Sequence, residues 1–211
     1  MALPGANTHN DASGFSYRYD FLDSIELFTS RRSHKYFDGR PVTETSLRKL
    51  YELAKLAPSA SNCCPMRLVF ATSGGARQQL LDAVISRNAD QVRSAPVTAI
   101  IAFDTNFHEH MEKLAPDSDY AARFRSFSHE KRAEVALRNC SVQAGFLIMA
   151  AHALGLQCGP ISGFDAAKIN STFFPDSTWR VNFLLNIGYG TDEGLKPRAN
   201  RLDFDTACKL A

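Results

Sequence analysis

RRSHKYFDGRPVTETSLRKLYELAKLAPSASNCCPMRLVFAT, residues 31–72, runs from a basic cluster through a helix and a loop into a strand. Pro41 precedes a Thr43 cap, and Glu44 falls in the first turn. Leu47, Leu50, Tyr51, Ala54 and Ala57 then share one face, and Pro58 ends the helix. The small, polar loop Ser59–Pro65 follows. RLVFAT, Arg67 to Thr72, reads as the first strand, broken by Gly74-Gly75. Upstream, Phe21, Leu22, Ile25 and Phe28 recur at helical spacing as far as Thr29. Two helices therefore precede any strand. Strict βαβ alternation is absent, so the pattern predicts an α+β layered domain rather than a doubly wound one.

Further along, Arg77 to Ile85 reads as a short helix. VTAIIAF, Val97 to Phe103, is almost wholly apolar and suits a strand buried on both faces. Asp104 to His129 is polar with interspersed aromatics, Phe107, Tyr120, Phe124 and Phe127. It reads as an excursion or lid whose aromatics either face a ligand or pin it to the body. Glu130 to Leu154 is the longest helical pattern. Its second half is apolar nearly all round, which predicts burial, with a subunit interface as one place for it. Arg138, Asn139, Gln143 and His152 interrupt it, so it is not a membrane span, and Gly155 supplies the stop. Gln157 to Phe164 reads as a loop. Asp165 caps a short helix that ends near Phe174-Pro175, and Arg180 to Tyr189 reads as a strand. The first twenty residues read as a flexible arm, and residues 21–211 as one domain.

Of 211 residues, 24 are basic and 22 acidic. The net charge of +2 gives no global field for nucleic acid, so any anion site is local. Five cysteines lack metal-ligand spacing, and the start of the chain lacks a basic region leading into an apolar run. Reduced thiols and a cytoplasmic location are the expectation. Adjacent Cys63 and Cys64 read as small loop residues or as a redox pair. His108 and His110 read as solvated histidines or as metal ligands, and no metal site is expected.

Arg31, Arg32, Ser33 and Lys35 place two guanidiniums, an ammonium and a hydroxyl within five residues. Such a set encloses a phosphate or carboxylate, or forms a solvated patch. Lys196, Arg198 and Arg201 could reach the same anion from the far end of the chain. Pro58, Ser59, Ala60 and Asn62 sit in a loop able to meet a planar heterocycle's edge. In Pro160-Ile161-Ser162-Gly163, flanked by Gly159, the backbone can approach a ligand closely. No GxSxG, HExxH, P-loop or post-strand GxGxxG occurs. A place for an anionic cofactor without a protein nucleophile suggests that the cofactor does the chemistry.

In combination these weak motifs are specific. RRSxKxF (31–37), PV(T)ExxLxxL (41–50), APSASNxxP (57–65), PISGFDAAKI (160–169) and KPRxxR (196–201) resemble, in order, the landmarks of the flavin-dependent nitroreductase family. The likeness spans roughly Phe21 to Cys208. SAPVTAIIAFD (94–104), RNCSVQAGFLIMAAHALGLQCGPISGFD (138–165) and NFLLNIGYG (182–190) are similar to its malonic semialdehyde reductase branch.

The resemblance implies an α+β fold with a central, mostly antiparallel sheet flanked by helices. It implies an intertwined homodimer with FMN at the interface, and NAD(P)H as electron donor. Arg31, Arg32, Ser33 and Lys35 would hold the phosphate and flavin edge, with Lys196, Arg198 and Arg201 closing from the C-terminal side. Pro58, Ser59, Ala60 and Asn62 would line the flavin from the partner chain. Pro160, Ile161, Ser162 and Gly163 would lie against the ring, and Asn88 would bring an amide near it. The implied chemistry is ping-pong hydride transfer through flavin N5 to a small organic acceptor, a nitro compound, quinone or aldehyde, with no catalytic side chain. Two departures stand out. Asn62-Cys63-Cys64-Pro65-Met66 replaces the family's NxQPW, and Ser162 stands where Glu is common. Both weigh against a generic nitroaromatic preference and match the semialdehyde branch. There Arg67, Arg123 or Arg125 would hold the substrate carboxylate. A flavin-binding protein without turnover is the alternative from another class.

Overall fold

A computed structural model describes residues 25–211. The arm expected over 1–20 and the start of the helix expected from Phe21 lie outside them. What is described of that helix is α1, Glu26–Thr29. Next comes α2, Glu44–Ala54, where the Thr43 side chain accepts from Ser46 N at 3.1 Å. Leu47, Leu50 and Ala54 are buried as the spacing predicted, but Tyr51 is 46% exposed and the helix ends at Ala54, short of Ala57 and Pro58.

β1 is Met66–Ala71. β1 ends before Gly74-Gly75 as expected, but α3, Gly74–Leu81, corrects the helix expected over Arg77 to Ile85, starting three residues earlier and ending four earlier. Ser73 caps this helix by accepting from Ala76 N, and the glycines form its first turn. α4, Ser86–Ser94, had no sequence reading. It has no side-chain cap and one buried residue, Val92, so periodicity carries little signal. β2, Val97–Asp104, is the apolar run. α5, Met111–Leu114, and α6, Tyr120–Arg125, are short turns of helix in the excursion.

α7, His129–Ala153, is opened by Ser128 accepting from Lys131 N. It ends at Gly155, whose φ is +75°. Leu156 N donates to Ala151 O at 2.9 Å and Gly155 N to His152 O at 2.9 Å, closing the helix end. β3, Gln157–Ile161, corrects the expected loop. Its Pro160 is tolerated because β3 lies at an edge of the sheet, where one ladder donor fewer is affordable. α8, Ala166–Phe173, is capped by Asp165. β4, Trp179–Gly188, and α9, Phe204–Ala207, complete the order.

The four strands form one antiparallel sheet in the order β1-β2-β4-β3. Alternate residues of β2 point to opposite faces. Val97, Ala99 and Ile101 pack with Leu47, Leu50, Leu147 and Ala151 under α2 and α7. Ile100 and Ala102 pack with Leu80, Val92, Ile161 and Ile169 under α3, α4 and α8. This two-faced burial explains the continuous apolar run and confirms the layered α+β architecture. Each large side chain in these layers stabilises the fold by about 1.5–3 kcal/mol.

The excursion carries its own small core. Phe107, Met111 and Phe124 pack with Cys63 and Ala136, and the Phe107 and Phe124 rings meet edge-on at 5.0 Å. These aromatics pin the segment to the body.

Candidate functional site

The segment Arg31–Phe37 is held on the edge of the sheet. Ser33 bridges Cys158 of β3 in parallel, and His34 N donates to Cys158 O at 2.9 Å. Phe37 bridges Gly190 beyond β4. The approach is so close that a Cβ on Gly159 would lie 2.3 Å from the His34 carbonyl oxygen. After β4 the chain turns back through Gly194, φ +66°, toward the same edge.

The two basic segments, far apart in sequence, converge there. A cleft of about 210 Å³ is lined by Arg31, Arg32, Ser33 and Lys35 from one side and by Lys196, Arg198 and Arg201 from the other. No carboxylate is among its lining residues. Two arginines tie its walls together. Arg198 Nη2 donates to Thr29 O at 2.7 Å and Arg31 O at 2.8 Å, and Arg32 donates to Lys196 O. Behind the cleft, Ser30 Oγ and His152 Nε2 are 2.8 Å apart. Burial, then the charges of Arg31 and His34, lower the His152 pKa, so this ring stays neutral beside the cations.

Pro160 and Ile161 end β3 next to this edge, and Ser162 and Gly163 follow. Asn88 is brought to them, donating Nδ2 to Gly163 O at 3.1 Å. A Cβ on Gly163 would meet the Asn88 amide at 2.7 Å.

Pro58, Ser59, Ala60 and Asn62 do not join the cleft of their own chain. Their loop lies against α7 and the excursion: Ala60 N donates to Asn139 Oδ1 at 2.7 Å, and Asn62 Nδ2 to Leu114 O at 2.8 Å. Ser61, Asn62 and Cys64 all have positive φ, +52°, +55° and +38°. Three such non-glycine residues in a row of four mark stored strain. Asn139 and Gln143 were read only as interruptions of an apolar helix. Their role in gripping this loop was missed, and two amides four apart on an otherwise apolar face were the available signal.

Arg67 is not free to hold a substrate carboxylate. It donates to Asp104 Oδ2 at 2.8 Å and to the Cys64 and Met66 carbonyls, both at 3.0 Å. Arg123 and Arg125 are exposed on α6. Cys63 is fully buried, and burial pushes its thiol up to about 11, which makes it a poor redox partner for Cys64. His108 is buried at 7% exposure, and no cluster of three metal-ligating side chains occurs among the described residues. No helix among them is long and apolar enough to cross a membrane.

Residues 28–189 match the sequence pattern of the nitroreductase family. A Stenotrophomonas maltophilia protein is 46% identical over 196 residues, covering 93% of this chain and all of its own. A Ralstonia nicotianae protein is 44% identical over 185 residues, covering 88% of this chain and 94% of its own. Both are provisionally named NADH dehydrogenase/NAD(P)H nitroreductase. The fold is also that of an Exiguobacterium sibiricum protein, solved in complex with FMN and provisionally called a nitroreductase. That likeness has TM-score 0.82 and 20% identity, over 90% of this chain and 98% of the other.

Proposed function

This chain belongs to the nitroreductase family, and on that premise we propose that it is an FMN-dependent NAD(P)H oxidoreductase acting on a small organic acceptor. One observation carries the reading: residues 31–35 and 196–201 form one cationic cleft with no carboxylate among its described lining residues. That donor set fits the phosphate of FMN, which is dianionic and takes several charge-assisted hydrogen bonds. A bound flavin supplies the hydride chemistry between nicotinamide and acceptor.

The chain's own residues bind, orient and shield. In this reading Arg31, Arg32, Lys35, Lys196 and Arg201 neutralise the phosphate, and the Ser33 hydroxyl donates to it. Arg198 contributes its charge while fixing the cleft's two walls. Pro160, Ile161, Ser162 and Gly163 offer backbone close to the ring, and Asn88 holds that backbone in place through Gly163 O. No side chain is required as proton donor, since water can supply protons. The oxidoreductase names of the 44–46% identical relatives favour turnover over mere flavin storage.

Pro58, Ser59, Ala60 and Asn62 lie away from the cleft, which supports a homodimer in which this loop serves the partner's site. The exposed apolar side chains of α7, Leu137, Val142 and Phe146, support the same assembly. We read residues 21–211 as one FMN-binding domain in a cytoplasmic enzyme.

The acceptor we favour beyond this is a 3-oxo acid, malonic semialdehyde, reduced to 3-hydroxypropionate. Met66 and Ser162 stand where the wider family carries Trp and Glu, and the loss of that acid removes a negative charge that would repel a carboxylate. With Arg67 committed, Arg123 and Arg125 are left as carboxylate partners. Anaerobic stopped-flow tests the whole. NADH or NADPH should bleach the flavin band, and malonic semialdehyde should restore it faster than a nitroaromatic does. Reoxidation by the nitro compound alone would make it a broad nitroreductase, and a colourless protein that takes up no FMN would end the reading.

A further inference from the structure

The loop Pro58–Pro65 is held in a conformation it would not adopt alone. Ser61, Asn62 and Cys64 occupy left-handed backbone that favours glycine, so neighbouring contacts must impose it. Those contacts come from two sides. From α7, the buried Asn139 accepts from Ala60 N at 2.7 Å, and the buried Gln143 accepts from Met66 N at 3.0 Å. From the sheet, Arg67 donates to the Cys64 and Met66 carbonyls and is itself fixed by Asp104. Asp104 is saturated in turn, accepting from Thr178 Oγ1 at 2.7 Å and Asn106 N at 2.9 Å.

Asn139 stands apart within this set because its orientation is forced. Its Nδ2 donates to Val135 O at 2.8 Å, which leaves Oδ1 as the acceptor for Ala60. It sits at 8% exposure on the inner face of α7. Beside that buried face Val142 and Phe146, one helical turn apart, leave an exposed apolar strip, and Leu137 is exposed on the opposite flank. The same helix thus grips the loop with its buried face and leaves an apolar strip exposed beside it.

We infer that Asn139 is a positioning residue, holding the Pro58–Pro65 loop in its strained form so that Pro58, Ser59, Ala60 and Asn62 present a preformed wall to the cofactor. The role in cofactor binding rests on the proposed function; the grip on the loop does not. It acts through Ala60 and is required to touch neither cofactor nor substrate. The carboxamide is specified chemically: its oxygen must accept from Ala60 while its nitrogen anchors it to its own helix.

Cys64 provides a readout independent of flavin. It is half-buried in the loop, whereas Cys63, Cys140 and Cys158 are buried, with thiols pushed up to about 11, 11 and 12. In a Cys208→Ser background, which removes the one exposed thiol, an aromatic disulfide reagent reports loop opening at Cys64. Asn139→Ala leaves Ala60 N–H unpaired and should speed labelling about tenfold, the effect of one lost buried hydrogen bond. If the Ala variant does not fold, Asn139→Ser, whose hydroxyl is too short to reach Ala60, replaces it at the same readout. FMN titration by fluorescence quenching should follow the same order, with Asn139→Ala weakened about tenfold.

Labelling of Asn139→Ala at the parental rate would overturn the inference. A parent protein that binds no FMN would instead defeat the proposed function, leaving the labelling series to decide the grip.

Discussion

A methyl group at Gly159 would lie 2.3 Å from the carbonyl oxygen of His34, whereas one at Gly163 would meet the Ile85 Cδ1 and Asn88 Nδ2 atoms at 2.5 and 2.7 Å. The first clash is with backbone that is pinned to β3 and cannot step aside. The second is with side-chain tips that can rotate. Gly159→Ala should therefore cost about 1–3 kcal/mol in a urea titration and loosen the edge that carries Arg31–Lys35, while Gly163→Ala costs less. Equal losses would contradict this difference. Residue chemistry also sets a pH response. His108 has a lowered pKa, from burial first and the nearby Arg132 charge second, and its Nδ1 has no hydrogen-bond partner among the described residues. His152 is lowered as well. In the unfolded chain both titrate near pH 6.5, so below that value the unfolded state binds more protons than the folded one. Stability should thus be complete above about pH 6.5 and fall as pH drops toward the folded values. His108→Leu removes one contributor together with a buried polar atom that nothing satisfies. Denaturant midpoints between pH 7.5 and 5.5 should fall less steeply in that variant than in the parent.

At the scale of elements, legibility followed the strength of local signals. The cap of α2 and most of its buried face are legible because Thr43 and the spacing of Leu47, Leu50 and Ala54 all point one way, whereas Tyr51, on the same predicted face, is exposed. β2 was read because an eight-residue strand buried on both faces leaves an apolar run. β3 reads as a loop in the sequence because Gly159 and Pro160 are poor strand formers. Pairing with β4 and with Ser33 overrides that preference. α4 went unread for want of a cap and an apolar face. α7 was placed to within a residue at each end, yet its inner polar pair, Asn139 and Gln143, looked like mere interruptions. Their partners, Ala60 N and Met66 N, lie more than seventy positions away, beyond any local pattern. The outer stripe of α7 carries the element's own prediction. Phe146 is 45% exposed and lies near Val142, 44% exposed, one helical turn earlier. Phe146→Asp leaves the chain's core untouched but places a charge where the proposed partner packs. Size exclusion with light scattering should show dimer shifting to monomer, with Tm changing by only a few degrees at low protein concentration. An unaltered dimer would move the interface elsewhere.

In the molecule as a whole, the cationic cleft is made by two chain segments that meet only after folding. RRSxK and KPRxxR are each a plain basic cluster, and each is as compatible with a solvated patch as with an anion site. What joins them is topology: β3 and β4 bring residues 33–37 alongside 158–190, and the turn at Gly194 returns the chain to the edge it has just left. The sequence order of the motifs made the cleft legible by resemblance, but no spacing rule would have found it from the residues alone. This architecture makes the C-terminal segment separable from the body. From Lys196 to Ala211 every residue is exposed, and none belongs to a core cluster. A chain ending at Leu195 keeps the sheet, both helical layers and Arg31–Lys35, but loses Lys196, Arg198 and Arg201, and with Arg198 the strut across the cleft. The truncated protein should therefore melt cooperatively with its far-UV spectrum preserved, while FMN affinity at low salt drops by about a hundredfold or more, the scale of two to three lost charge-assisted contacts. The remaining affinity should depend less on salt, because fewer cations face the phosphate. Full FMN affinity after truncation would remove Lys196, Arg198 and Arg201 from the site. A collapse of the fold would show instead that the tail supports the body through contacts with a partner chain, and Lys196→Ala with Arg201→Ala in the full-length protein would then measure the charge alone.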